Sequence, residues 1–132
     1  MQAAAFVNHS VRTTSWTGRI LSLLVILFMV FDGVIHMLKP APVVDAFAQL
    51  GYPLAVAVGL GIVELACTVL YAIPRTAALG AVLLTAYLGG AVATQVRIGA
   101  GVFPTIFPVI LGAILWTGLA LRDPRVRAFI TH

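Results

Sequence analysis

The sequence predicts an all-α integral membrane protein: an up-down four-helix bundle with a short external amphipathic helix. Of the 132 residues, 61% are hydrophobic and only 9% are charged, whereas about a quarter of a soluble domain is charged. Four apolar stretches of about 20 residues each are long enough to cross a bilayer. Because short connections join these stretches, we expect consecutive helices to be antiparallel neighbours.

The first span is predicted over about residues 17–38. The preceding residues 1–16 show no sustained hydrophobic period, so we expect a flexible cytoplasmic tail there. Pro40 ends the span, because proline lacks the amide hydrogen that a helix interior needs. Residues 43–50 then place their apolar side chains on one helical face, which predicts a short amphipathic helix on the external membrane surface. An irregular loop is the alternative.

Three further spans are predicted over about residues 53–73, 76–97 and 102–121. Together with the first span they make up a transmembrane domain over residues 17–122. Residues 123–132 are predicted to be a basic cytoplasmic tail.

Basic residues are distributed unequally between the two sides of this predicted domain. Lys39 and Arg97 lie on one side, and six arginines lie on the other. Since cytoplasmic segments of membrane proteins are enriched in basic residues, we expect both termini in the cytoplasm. The net charge of +4 is then explained by topology, and we expect the lipid bilayer, not a nucleic acid, as the partner. The six arginines are Arg12, Arg19, Arg75, Arg122, Arg125 and Arg127.

Three ionisable residues interrupt the apolar spans. Asp32 and His36 are four residues apart near the outer end of the first span, so they share a helix face. Glu64 lies near the middle of the second span. A charged side chain at the bilayer centre costs about 2.5–3.5 kcal/mol on insertion scales, so such residues usually face the protein interior and mark function. Glu64, Asp32 and His36 are therefore our catalytic candidates.

Each of these three residues also has a structural interpretation. Glu64 is either a protonated carboxyl group that bonds another helix, or an acid or base in proton transfer. Asp32 and His36 are either a mutually satisfied pair or a proton shuttle in which Asp32 orients His36. A metal site from all three is a weaker alternative, because only one histidine lies within the membrane. We expect no metal and no other cofactor.

Six further residues are predicted to bind a ligand in a cavity that opens to the external side. Counting along the spans places the polar residues in the outer half of the membrane, with Glu64 deepest. Hydrogen bonding between helices and interfacial charge are the simpler interpretations of these side chains. The predicted ligand-binding residues are Lys39, Tyr71, Tyr87, Thr94, Gln95 and Arg97.

The third span carries a small residue at every fourth position. Such residues allow helix backbones to approach closely in lipid. The pattern predicts that this face packs against another span or against a second copy of the chain, in a homodimer or a larger membrane complex. The residues are Ala77, Ala81, Thr85, Gly89 and Ala93.

Several short motifs carry a family resemblance, among them Leu50-Gly51-Tyr52-Pro53, Gly59-Leu60-Gly61-Ile62-Val63-Glu64-Leu65 and Ile73-Pro74-Arg75-Thr76. Over about residues 20–125 the chain resembles the DoxX-like family of small bacterial membrane proteins. The resemblance implies four transmembrane helices in the cytoplasmic (inner) membrane, in agreement with the spans counted above. It implies little about function, although relatives in the wider DoxX group are linked to thiosulfate oxidation with quinone as acceptor. The bundle is also similar in plan to the EXPERA group of sterol isomerases and lipophilic-ligand receptors, by analogy of fold alone.

Three functional hypotheses follow. The first is a cavity for a lipophilic molecule such as a quinone, isoprenoid or sterol-like compound; if the chain is an enzyme, the reaction is a cofactor-free acid/base isomerisation or cyclisation. The second is a non-catalytic subunit or assembly partner of a quinone-linked redox complex, based on the small residues of the third span. The third is a proton-coupled transporter, which ranks last because no inverted repeat of broken helices is present.

Overall fold

The computed structural model of the protein describes the backbone of residues 2–132 and the side chains of residues 2–5 and 14–132. All regular structure in this part of the chain is α-helical, as the sequence predicts. The six helices are α1 (Gln2–Leu38), α2 (Ala41–Leu50), α3 (Val56–Ala72), α4 (Ala77–Ile98), α5 (Val102–Arg122) and α6 (Pro124–Thr131).

Both predicted tails contain helix. The helical backbone of α1 begins at Gln2 rather than near residue 17. The sequence before Gly18 contains neither proline nor glycine. No helix-breaking residue therefore stops the helix of the apolar span from continuing towards the N-terminus. At the other terminus, the Asp123 side chain accepts a hydrogen bond from the backbone N–H of Arg125, and Pro124 occupies the first turn of α6.

Among the described residues, three helical segments are long and apolar enough to cross a membrane: Thr14–Leu38, Ala77–Ile98 and Val102–Arg122. Helix α3 has 17 residues and is about 26 Å long at 1.5 Å per residue, so it is shorter than the span predicted over about 53–73. The difference arises at its start, where residues 53–55 form a turn before the helix begins.

Helices α1 and α4 each contact both α3 and α5. The hydrophobic core lies between these four helices and is built from large side chains that are almost completely buried: Met29, Tyr71, Leu84 and Leu115. Helix α2 lies at the end of the molecule where α1 ends and α3 begins, which we call the α2 end. Helix α6 lies at the opposite end, the α6 end, where α5 terminates.

Glycines set the closest approaches between helices. A Cβ atom on Gly33 of α1 would lie 3.3 Å from the carbonyl oxygen of Gly61, and one on Gly61 of α3 would lie 2.6 Å from the carbonyl oxygen of Gly33. Near the α6 end, a Cβ atom on Gly80 would overlap the backbone of Tyr71. Such close contacts are typical of helices that pack in lipid.

Helix α2 packs onto the start of α3 through the apolar face that the sequence predicts for residues 43–50. Val43 and Phe47 are buried against Ala57. Gly51 ends α2 in the left-handed conformation with φ of 75°. The guanidinium group of Arg97 donates a hydrogen bond to the carbonyl oxygen of Leu50, which ties the end of α2 to α4.

Candidate functional site

The site begins with one turn of α1. Asp32 and His36 lie on the same helix face, and Nδ1 of His36 donates a hydrogen bond to the backbone carbonyl of Asp32 at 2.7 Å. The same nitrogen lies 3.5 Å from Oδ2 of the Asp32 side chain. Because a carbonyl oxygen can only accept, this bond places the proton on Nδ1 and leaves Nε2 of a neutral imidazole as the acceptor.

Helix α3 brings Glu64 against this turn. The contact between Gly33 and Gly61 lets the two helices approach so closely that Oε2 of Glu64 lies 3.8 Å from Nδ1 of His36. One side-chain oxygen or nitrogen atom from each of Asp32, His36 and Glu64 lies within 4.8 Å of the others. Two helices therefore bring two carboxyl groups and an imidazole together.

Glu64 is completely buried, and only one of its two carboxyl oxygens has a hydrogen-bond partner among the described residues. Helix α4 contributes Tyr87, whose hydroxyl group donates a hydrogen bond to Oε2 of Glu64 at 2.9 Å. The other carboxyl oxygen, Oε1, is buried and has no hydrogen-bond partner among the described residues. Since buried polar atoms in native proteins are nearly always paired, an unpaired one points to a ligand or a functional role. Asp32, His36, Glu64 and Tyr87 are called the acid–histidine cluster below.

Helix α2 covers the His36 part of the cluster at the α2 end. The Phe47 ring packs edge-on against the His36 ring, with 5.7 Å between ring centroids. Nevertheless, 29% of the Asp32 side chain and 18% of the His36 side chain remain exposed, against none of Glu64. The neighbouring Phe31 is 63% exposed on α1. The exposed part of the cluster therefore belongs to α1 and lies beside an apolar side chain, and the external opening that the sequence predicts stays a prediction.

The predicted ligand-binding residues separate into two groups. Tyr87 joins the cluster, whereas Thr94 and Arg97 surround Tyr52 near the α2 end. The hydroxyl groups of Tyr52 and Thr94 are 3.2 Å apart, and the Arg97 guanidinium lies 5.6 Å from the centroid of the Tyr52 ring. Gln95 is half-buried nearby on α4. Lys39 is exposed in the left-handed conformation that ends α1, with φ of 53°.

Tyr71 lies apart from the cluster. It shares a face of α3 with Glu64 but is seven residues further along, or about 10 Å. Its hydroxyl group donates to the carbonyl oxygen of Leu115 at 2.7 Å and lies 3.0 Å from the Ser22 hydroxyl group. Tyr71 is completely buried, so these contacts describe a core residue that joins α3 to α5 and α1.

The sequence analysis did not predict Phe47 or Tyr52 as part of the site. Phe47 could have been identified from its position, because the apolar face of a surface helix covers whatever lies beneath it. Tyr52 has no comparable signal in the sequence. Its contacts with Thr94 and Arg97 depend on where α4 ends relative to α2.

Two cavities lie at the other end of the molecule, near α6. Their volumes are about 620 Å³ and about 370 Å³, and none of the cluster residues lines either one. Both are lined by residues of the α6 end, including Pro74, Asp123 and Arg125.

The cluster has the residue types of a metal site as well as those of a proton-transfer site. Two carboxylates and one imidazole are ligands that divalent transition metals accept. However, Nδ1 of His36, the nitrogen that faces both carboxyl groups, is already hydrogen-bonded to the Asp32 carbonyl oxygen. Tyr87 likewise occupies Oε2 of Glu64. The hydrogen bonds therefore favour proton handling over metal ligation.

Comparison with known proteins identifies the family. The DoxX-like family matches residues 20–118, which are 99 of the 132 residues, so the chain belongs to this family. Comparison with curated proteins and with solved structures gave no match. Asp32, His36, Glu64 and Tyr87 all lie within the matched region.

Proposed function

We propose that this member of the DoxX-like family binds a lipophilic molecule at the acid–histidine cluster and exchanges a proton with it. The observation that carries the proposal is Glu64, a completely buried carboxyl group with one unpaired oxygen atom, next to a histidine and a second carboxyl group. A quinone, an isoprenoid or a sterol-like compound has the matching chemistry, an apolar body with few polar atoms.

The membrane arrangement that supports this proposal is an up-down four-helix bundle in the bacterial inner membrane. The short connections between α3, α4 and α5 favour antiparallel neighbours. Six arginines belong to the side of the α6 end and only Lys39 and Arg97 to the side of the α2 end, which favours both termini in the cytoplasm. The cluster then lies in the external half of the bilayer.

A lipophile reaches the cluster from within the bilayer, past the exposed apolar side chains of α1. In a cofactor-free isomerisation, one carbon atom of the ligand gains a proton and another loses one, so the double bond moves without change of oxidation state. Glu64 would exchange the first proton, and the Asp32 and His36 pair would take up or return the second. Tyr87 holds the Glu64 carboxyl group in place through Oε2.

The decisive experiment compares co-isolated molecules by mass spectrometry after gentle purification from native membranes. We expect a defined lipophile with the wild-type protein and its loss from Glu64→Gln. Asp45→Asn is the matched control, because Asp45 is an exposed acid on α2, and this variant should retain the lipophile. Bulk phospholipid alone in all three samples would contradict the proposal, provided that the variants unfold at the same temperature.

The catalytic part of the proposal has a separate test. Once a lipophile is identified, membranes that contain the wild-type protein should convert it to an isomer or a cyclised product. Replacing Glu64 and Asp32 with their amides should abolish conversion. Unchanged conversion by the double variant would show that these carboxyl groups do not transfer the proton.

A second candidate function is a non-catalytic subunit of a quinone-linked membrane complex. The exposed small residues in the half of α4 nearer the α2 end favour this function. Ala77 and Ala81 of the small-residue pattern pack inside the protein, but Gly89 and Gly90 do not. A Cβ atom built on either glycine would meet no atom within 4 Å. This face is open to a second helix.

The simplest partner for that face is a second copy of the chain. We would measure the protein mass in mild detergent for the wild type, for Gly89→Leu and for Gly59→Leu, whose site on α3 is equally open. A dimer that only Gly89→Leu disrupts would support the subunit hypothesis. A stable, uniform wild-type monomer would contradict it.

A further inference from the structure

The two cavities at the α6 end adjoin each other, because Pro74, Asp123 and Arg125 line both of them. They are treated together as one crevice below. The larger cavity has a volume of about 620 Å³, which is within the range of about 300–1,000 Å³ that is typical of small-molecule sites. None of its lining residues belongs to the acid–histidine cluster.

The crevice is strongly basic. Arginines from four separate segments line its two cavities, and among the lining residues Asp123 is the single carboxylate. Both oxygens of that carboxylate lie 3.4 Å from nitrogen atoms of the Arg125 guanidinium group, so Asp123 offsets one of the four positive charges, while 82% of the Arg125 side chain stays exposed. The four are Arg19 of α1, Arg75 between α3 and α4, Arg122 of α5 and Arg125 of α6.

The positive charges that remain are poorly compensated. Arg75 is exposed and makes no hydrogen bond or ion pair with the described residues. Arg122 donates to the carbonyl oxygen of Tyr71 at 2.9 Å, and its Nε atom is buried with no hydrogen-bond partner in the described part of the chain. Guanidinium groups with free donors bind phosphate groups well, because their planar forks match pairs of phosphate oxygens.

Apart from its charged residues, the larger cavity is lined by apolar side chains. Its wall consists of Ala78 and Val82 of α4, Trp116 of α5 and Val126 of α6. Two further lining residues of α6 are exposed, Phe129 by 86% and Ile130 by 56%. An amphipathic helix of this kind lies along a membrane interface with its apolar side chains among the acyl chains.

We infer that this crevice, the arginine crevice, binds one anionic phospholipid from the leaflet at the α6 end. The headgroup phosphate lies among Arg75, Arg122 and Arg125, and an acyl chain runs along the wall that Val82 and Trp116 form. Phosphatidylglycerol fits this charge distribution better than a zwitterionic lipid, whose choline group would face the arginines. The inference goes beyond the proposed function and uses none of its residues.

Native mass spectrometry of the purified full chain provides the test. The protein is incubated with equal amounts of phosphatidylglycerol and phosphatidylcholine in detergent, and bound lipid is counted. We expect phosphatidylglycerol to be retained about tenfold over phosphatidylcholine, a ratio that corresponds to about 1.4 kcal/mol. The double variant Arg75→Gln/Arg125→Gln should remove most of this preference. Equal retention of the two lipids by the wild type would overturn the inference.

Two controls distinguish lipid binding in the crevice from a general attraction of anionic lipid to positive charge. Arg127→Gln removes one charge from α6, but Arg127 does not line the crevice and bonds the carbonyl oxygens of Ala120 and Leu121. The Arg127→Gln variant should retain the preference for phosphatidylglycerol, whereas Arg75→Gln alone should reduce that preference. Ala78→Phe keeps every charge and fills the wall, so it should lose the lipid, whereas Leu79→Phe on the exposed neighbouring position should not.

The phosphate group alone could also be the ligand. Inorganic phosphate in millimolar excess should not displace phosphatidylglycerol if the acyl chain contributes to binding. Displacement by free phosphate, or equal loss of the preference in Arg75→Gln and Arg127→Gln, would show that the crevice is not a lipid site.

Discussion

The acid–histidine cluster holds acidic side chains in the protein interior, whereas the arginine crevice holds basic side chains at the protein surface. In the cluster, short carboxyl side chains lie between helices, and Glu64 has no contact with solvent. In the crevice, long arginine side chains reach the ends of the helices, where 82% of the Arg125 side chain is exposed. A short side chain in the middle of a helix must find a partner within the protein, whereas a long one near an end can extend to the interface.

The close glycine contacts near the cluster and near the crevice hold different parts of the protein together. Near the cluster, the Gly33 and Gly61 contact brings together two helices that both carry ionisable residues. Near the crevice, Gly80 lies against the backbone of Tyr71, whose side chain bonds α5 and α1. The first contact assembles a chemical site, and the second holds a core beneath a lipid-facing surface.

The largest effect is expected from Gly80→Ala. A Cβ atom there would lie 2.5 Å from Cα of Tyr71 and 2.7 Å from the carbonyl carbon of Leu70. Because these are backbone atoms, they cannot move aside as a flexible side chain can, and we expect a loss of at least about 1–3 kcal/mol of unfolding free energy. Thermal unfolding in detergent measures it. Gly89→Ala, at an open position, should be neutral or stabilising; equal loss in both variants would contradict the packing.

Gly61→Ala should have a smaller effect on stability but a specific effect on the cluster. The added Cβ atom would lie 2.6 Å from the Gly33 carbonyl oxygen, which is a backbone atom, and 2.9 Å from Cγ of Met37, whose side chain can shift; at Gly80 all three of the nearest atoms are backbone atoms. We expect about 1 kcal/mol of destabilisation and separation of Glu64 from His36. Lipophile retention after purification should fall, while the phospholipid preference of the crevice should not. Gly59→Ala is the matched control on the same helix; retention of the lipophile by Gly61→Ala would break the proposed link.

Two tyrosines allow the ends to be compared directly. Tyr71→Phe removes the bond to the Leu115 carbonyl oxygen, and Tyr87→Phe removes the bond to Glu64. Tyr87→Phe leaves Oε2 of the buried Glu64 carboxyl group without a donor and should cost about 1–3 kcal/mol in thermal or denaturant unfolding. The Leu115 carbonyl oxygen keeps its bond within α5, so Tyr71→Phe should cost about 0.5–1.5 kcal/mol. Only Tyr87→Phe should also reduce lipophile retention. If Tyr71→Phe reduces it equally, the sequence-based assignment of Tyr71 to the ligand site is supported instead.

The smallest effect is expected at α6, as a function of pH. Burial, which alone would raise the pKa of Asp123, is outweighed by hydrogen bonds from the Arg125 side chain and backbone, so its pKa lies below the ordinary value of 3.8. The contribution of Asp123 to helix stability is therefore complete above about pH 4 and is lost as the pH falls through the native pKa. Hydrogen exchange at the amide of Arg125 should quicken over this range relative to the other helices.

Asp123→Asn is the control for that experiment. Asparagine caps a helix about as well as aspartate does but does not titrate in this range. The variant should therefore show no additional pH dependence at α6. The same acceleration in Asp123→Asn as in the wild type would assign the pH dependence to another group.

Much of this molecule could be predicted without coordinates, because lipid imposes simple constraints. Apolar stretches of membrane length predict helices, and prolines and glycines predict where those helices end, within a few residues for α2, α4 and α5. The spacing of Asp32 and His36 placed them on one face of α1. The depth of Glu64 identified it as the residue that most needs an explanation.

What the sequence by itself determined is therefore the all-α membrane class, the family and the helical face of each ionisable residue. The tertiary structure decided which residues meet: Tyr87 rather than Tyr71 bonds Glu64, and four arginines that are distant in the chain surround one crevice. The physical reason is that helical periodicity specifies direction and depth along one helix. Contact between helices depends on how closely their backbones approach, and that approach was set by the Gly33–Gly61 and Gly80–Tyr71 contacts.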